Sequence, residues 1–228
     1  MCGRFTRNYT WAEIAALYRL TSITSNVQPN FNVCPTDTVD VILRDGDERS
    51  VLPMRWGLVP NWWKKPLKEM RVATFNARSD TIATKPMFRE SFQKRRCLMP
   101  ASGYYEWVGT PAGKQPFYFT RADGKPLTIA AIQDAWNNPE TGELMRSCSM
   151  VIGEANKFVS QFHDRMPIIL EEADLEQWER GCVADATALM KPATDGILRA
   201  WPVSMRVNSS KTNGGDPRLI ERVELVPA

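Results

Sequence analysis

Residues 97–108, Cys97-Leu98-Met99-Pro100-Ala101-Ser102-Gly103-Tyr104-Tyr105-Glu106-Trp107-Val108, open the stretch whose reading decides the fold. From Cys97 to about Met150 the chain runs in short apolar and aromatic segments: Cys97 to Pro100, Tyr104 to Val108, Phe117 to Arg121, Leu127 to Ile132 and Met145 to Ile152. Turn-forming residues at Pro111 to Gly113, Asp123-Gly124 and Thr141-Gly142 separate them, which is the pattern of an antiparallel meander closing into a sheet or barrel.

On the N-terminal side, Thr10 and Glu13 form a capping-box pattern ahead of Trp11, Ile14, Ala15 and Tyr18, predicting a helix over about residues 11 to 20. Asn32 to Pro35 is read as an extended or turn segment. Val39 to Leu43 and Val51 to Trp56 are then candidate strands of a hairpin turning at Asp45-Gly46. Phe88 and Phe92 predict a short amphipathic helix within Lys85 to Arg96. Beyond the meander, helices are expected near Asn156 to Phe162, Glu171 to Arg180 and Ala184 to Met190. The expected fold is α+β, a single domain spanning residues 1–228, with a central antiparallel, barrel-like β-sheet flanked by helices.

The 228 residues can bury a sizeable core, and no linker, low-complexity tract or repeat divides them. Hydrophobic residues make up 43% and charged residues 24%, and no apolar run approaches the roughly 18 residues of a membrane span. With no secretory h-region behind Arg4, Arg7 and Asn8, a cytoplasmic protein is expected. Five scattered cysteines and one histidine support neither a disulfide framework nor a zinc site. A net charge of +3 permits an anionic partner without demanding one.

Five segments carry candidate chemistry. Cys2, once Met1 is removed, would hold an α-amine and a thiol on one residue. Such a 1,2-aminothiol condenses with an aldehyde to an imine and then closes to a thiazolidine; the competing reading is a loosely ordered terminus. In Tyr104 to Trp107, period-two alternation puts Glu106 on the face opposite Tyr105 and Trp107. Buried there, its carboxyl would titrate near neutrality; on an edge strand it would be an ordinary surface acid. His163 stands where a helical pattern ends before Pro167, and is either structural or the neutral-pH switch of the chain. Trp62 and Trp63, followed by Lys64 and Lys65 in a proline-bounded loop, offer flat faces for bases and charge for phosphates, or else cap the core. Asn76 can bond a sugar or carbonyl oxygen, and Arg78 can hold a phosphate.

Together these segments resemble the SOS response-associated peptidase (SRAP) family, which shields abasic sites in single-stranded DNA by crosslinking to them. The resemblance rests on Met1 to Phe5, Asn32 to Pro35, Trp56 to Pro60, Asn76 to Ser79, Pro100 to Trp107 and His163 to Pro167, in that order. It implies that Cys2 is the crosslinking nucleophile, with Asn76, Glu106 and His163 as the other active-site residues. Arg4, Arg78 and Arg165 would lie near DNA phosphates, and bases would stack on Trp62 and Trp63. The implied partners are abasic single-stranded DNA and single-strand to duplex junctions, with no membrane, no metal and no cofactor. A cytoplasmic monomer that joins the nucleoid when bound to DNA is expected. Two departures stand out: Ile152, Gly153 and Glu154 replace the usual threonines before Ala155-Asn156, and Asp80 replaces the commoner glutamate. The rival functions are a cysteine peptidase acting on its own N-terminus, with a lyase activity also left open, and a non-catalytic module binding modified DNA.

Overall fold

The computed structural model describes residues 2–20, 28–111 and 113–225. Twelve strands are present among them: β1 (Phe5–Arg7), β2 (Asn30–Val33), β3 (Thr38–Asp45), β4 (Glu48–Trp56), β5 (Asn76–Arg78), β6 (Arg96–Ala101), β7 (Gly103–Thr110), β8 (Gly113–Arg121), β9 (Leu127–Asn137), β10 (Leu144–Glu154), β11 (Arg165–Pro167) and β12 (Leu198–Pro202). The helices are α1 (Trp11–Tyr18), α2 (Arg89–Lys94), α3 (Leu175–Arg180) and α4 (Val183–Leu189), supplemented by short 3-10 turns.

Strands β10, β4, β3, β6 and β9 pair in that order, and β9 pairs back onto β10, closing a five-stranded barrel with β5 and β11 added along β10. The expected barrel-like sheet is therefore present. One of its seams is parallel, with Ser147 and Cys148 of β10 beside Arg55 and Trp56 of β4. A second, antiparallel sheet runs β12-β8-β7-β1-β2. The simple meander is corrected by this arrangement, because the chain changes sheet between β6 and β7 and again between β8 and β9.

Period-two alternation divides the barrel side chains between two cores. Ile129 and Ala131 point into the cluster shared with Phe5, Tyr104 and Phe119 of the second sheet. Ala130 and Ile132 face Ile14, Tyr18, Phe92 and Trp178 of the helices. Thr10 caps α1 as predicted, with Glu13 closing the box. The hairpin of β3 and β4 turns through Gly46 in a left-handed conformation, φ 57°.

Three predicted helices are shorter than the sequence suggests; of Glu171 to Arg180, only Leu175–Arg180 is α-helical, behind a 3-10 turn at Glu172–Asp174. Within Lys85 to Arg96 only Arg89–Lys94 is helical, since Arg96 already enters β6. Near Asn156 to Phe162 there is a single 3-10 turn, Val159–Gln161. Asn156 Oδ1 accepts the Val159 N–H at 2.9 Å, and Arg165 pairs with Glu154, so the chain reverses before another turn can form.

Candidate active site

Antiparallel pairing of Phe5 with Tyr104 lays the first residues of the chain along β7 in the direction of Glu106. The parallel pairing of Asn76 with Met150 brings β5 beside them, and the Arg165 to Glu154 pairing returns the loop holding His163. Four residues far apart in sequence thus meet at one end of the two sheets.

Chain termini ordinarily fray, yet Cys2 is only 1% exposed and belongs to the core cluster that includes Phe5 and Tyr104. Asn76 Nδ2 donates to the Cys2 carbonyl at 2.7 Å, and the Cys2 thiol points at the Arg4 carbonyl, 3.8 Å away. Burial, and after it the Glu106 carboxylate, push the thiol well above its usual range. At neutral pH it is a protonated nucleophile that needs a base.

Glu106 is also 1% exposed, on the face of β7 that carries Tyr104 and against Phe117 of β8. Burial pushes its carboxyl from an ordinary 4.5 up to about 7. A carboxyl at that value is both proton donor and acceptor near neutrality. Glu106 and His163 line one cavity of about 450 Å³ together with Trp107, Lys114 and Asn208. His163 Nδ1 lies 3.0 Å from the Arg165 backbone N–H. Burial lowers its pKa, opposed by the neighbouring Asp164 carboxylate, whose Oδ1 lies 2.9 Å from Nδ1.

Beside this cavity, Asp80 holds two of the three expected arginines. Arg78 grips it in bidentate fashion, at 3.1 Å from Nε and 2.5 Å from Nη2, and Arg165 Nη1 lies 3.6 Å away. The short aspartate thus gathers both guanidinium groups on one side of β5 and β11. Arg4 has a second occupation: its Nη1 donates to Asn32 Oδ1 at 2.5 Å and to the Val207 carbonyl at 2.7 Å, tying β1 to β2 and to the C-terminal region. At the other departure, a side chain on Gly153 would meet Ile168 Cδ1 at 2.6 Å and Ser79 Oγ at 3.2 Å, so a threonine there needs its neighbours to move.

The tryptophan loop is fixed from beneath by buried polar groups. Val59 N–H donates to Ser147 Oγ at 2.8 Å, Asn61 N–H to Asp134 Oδ2 at 3.0 Å, and Trp136 Nε1 to the Trp63 carbonyl at 2.5 Å. Trp62 is presented to solvent, 43% exposed, while Trp63 is half-buried behind it with the two rings 6.3 Å apart. Asp134 and Ser147 were not legible as loop supports, nor was Asn208, which accepts from Trp107 Nε1 at 2.6 Å on the cavity rim. Each acts across a long sequence separation, with no local pattern to mark it.

A buried thiol, a buried carboxyl poised near neutrality and an imidazole, with Arg165 and Arg78 joined through Asp80 close by, make up a candidate nucleophilic site. The chain belongs to the SRAP family: the family described as SOS response associated peptidase matches residues 1–210. It is 31% identical over 227 residues to the abasic site processing protein YoqW of Bacillus subtilis, covering 97% of this chain and 99% of that one. It is 33% identical over 228 residues to the abasic site processing protein YedK of Escherichia coli, covering 95% and 98%. With the abasic site processing protein HMCES of Xenopus tropicalis it shares 33% identity over 217 residues, covering 82% of this chain and 64% of that one. A crystal structure of a protein from Bacteroides thetaiotaomicron superimposes with a TM-score of 0.88 at 26% identity, covering 98% of this chain and all of that one.

Proposed function

We propose that this protein captures abasic sites in DNA as a covalent thiazolidine on Cys2, after removal of Met1, and so shields the lesion during replication. The observation that carries the reading is the fixed position of Cys2, buried with its carbonyl held by Asn76 at 2.7 Å and its thiol under the influence of Glu106. The abasic site processing relatives supply the substrate class.

An abasic site is in part a ring-opened aldehyde. The freed α-amine of Cys2 adds to C1′, giving a carbinolamine. Glu106 in its neutral form protonates the departing hydroxyl, water leaves, and an imine results. The thiol then adds to the imine carbon, its proton passing through Glu106 to the imine nitrogen, and the five-membered ring closes with one water lost overall. A protonated thiol suits this order, because the amine reacts first and the sulfur needs its base only at closure. His163 serves as the second proton carrier where the sugar ring opens. Asn76 positions both the attacking residue and a sugar hydroxyl.

Arg78 and Arg165 would hold phosphates and Trp62 a base, favouring single-stranded DNA and single-strand to duplex junctions bound by a protein monomer. The autopeptidase reading is less well supported, since burial raises the Cys2 thiol and lowers His163, opposite to what a thiolate–imidazolium pair requires. The test is substitution at Cys2: Cys2→Ala should abolish the stable adduct while retaining noncovalent DNA binding, and Cys2→Ser should stop at a reversible adduct. A wild-type adduct formed by Cys2→Ala would refute the aminothiol mechanism.

A further inference from the structure

A second cavity, of about 310 Å³, is lined among others by Thr36, Arg55, Trp56, Gly57, Arg71 and Phe75. Phe75 immediately precedes Asn76, so this cavity adjoins the residue that holds Cys2. Two arginines line it and no aspartate or glutamate does.

Arg55 is half-buried, and burial lowers its pKa, yet it forms no ion pair with a carboxylate among the described residues. Among the described residues its guanidinium makes one hydrogen bond, from Nη1 to the Gly57 carbonyl at 2.9 Å. A partly desolvated guanidinium ordinarily finds an acid. The backbone around it is shaped to hold it: Gly57 has φ +139°, and a Cβ there would meet Arg55 Nη1, so a side chain at 57 would displace the guanidinium. Thr36, on the same wall, has φ 82°, a conformation that β-branched residues avoid. It is fixed by its N–H to the Trp56 carbonyl at 2.7 Å. Strain of this kind gathers at ligand clamps. Arg71 is exposed at the mouth and forms no ion pair among the described residues.

We propose that the cavity between Arg55 and Arg71 is an anion subsite that takes one phosphate group, supplied by a phosphodiester of the same strand whose lesion lies at Cys2. The planar guanidinium presents paired N–H donors suited to two phosphate oxygens, and Arg71 closes over the outer side. The choice of a strand phosphate rests on the reading of DNA as the ligand; the subsite itself rests on Arg55, which has no carboxylate partner among the described residues, and on the shaped backbone.

The experiment pairs single neutral linkages with arginine variants. Undamaged single-stranded oligonucleotides, each carrying one methylphosphonate at a different position, are titrated against wild type, Arg55→Met and Arg71→Ala. Wild type should lose affinity at one linkage that the variants read as neutral, and each variant should lower the salt slope of binding by about 0.7. Arg71→Ala, at an exposed position, keeps the test valid if Arg55→Met folds poorly. In parallel, thermal stability is measured in inorganic phosphate against chloride at equal ionic strength. Phosphate-specific stabilisation lost in the variants, with no linkage effect, would support the subsite while assigning it to free phosphate. If the protein does not bind the oligonucleotides but keeps that stabilisation, the DNA reading fails and the subsite stands. Variants that match wild type at every linkage and in phosphate would overturn the proposal.

Discussion

Replacing Glu106 by glutamine should change stability in a pH-dependent manner whose size follows from its burial. Raising the carboxyl from 4.5 to about 7 disfavours the ionised form in the folded protein by about 3 kcal/mol, at about 1.4 kcal/mol per pH unit. The folded state binds the proton more tightly than the unfolded chain. The carboxyl's contribution to stability is therefore fully present below about pH 4.5 and is lost as pH rises through about 7. Glutamine fills the same space without a charge, so the stability difference between Glu106→Gln and wild type should grow by about 3 kcal/mol in favour of the variant from pH 4 to pH 8.5. Other titrating groups cancel in the difference. Urea denaturation of both proteins at half-unit pH intervals measures it, and adduct formation followed in the same samples should be slowed about 10² to 10⁴-fold in the variant. A stability difference that stays flat across this range would mean that Glu106 does not titrate between pH 4.5 and 7, and its assignment as the proton carrier would fail.

Asn76→Ala removes the hydrogen bond to the Cys2 carbonyl, and should cost about 1 kcal/mol of stability but about 10²-fold in adduct rate, measured by single-turnover kinetics. Trp62→Ala should leave stability within about 0.5 kcal/mol, because the side chain is 43% exposed, while weakening single-stranded DNA binding by about 1 to 3 kcal/mol in a fluorescence titration. Arg78→Ala should weaken binding across all sequences and flatten its salt dependence by about 0.7 in slope, since its guanidinium is solvent-facing and held out by Asp80.

Features with a local signature could be read directly from the sequence. The Thr10–Glu13 box, the Asp45-Gly46 turn and the alternation through Tyr104 to Trp107 each lie within a few residues, and each appears where expected. The three-residue strands β1, β5 and β11 are too short to show a period, and exist because longer strands pair with them. The parallel seam between β4 and β10 joins residues about ninety positions apart, which no local pattern encodes. At the site, alternation placed Glu106 beside Tyr104 but could not decide whether that face was buried; Phe117 and Phe119 on β8 decide it. The bond from Asn76 to Cys2 spans 74 residues, so the clamp on the nucleophile emerges only when β1 and β5 meet. The family resemblance assigned Arg4 to the DNA phosphates, but its bonds to Asn32 and the Val207 carbonyl depend on the folded C-terminal region.

The intact mass of the protein after incubation with a single-stranded oligonucleotide carrying one abasic site tests the central claim most directly. A product equal to the protein without Met1 plus the oligonucleotide, less one water and stable to hydride reduction, with fragmentation placing the DNA on Cys2, is the expected result. No covalent product from a chain that has lost Met1, or an adduct located on a lysine, would contradict it.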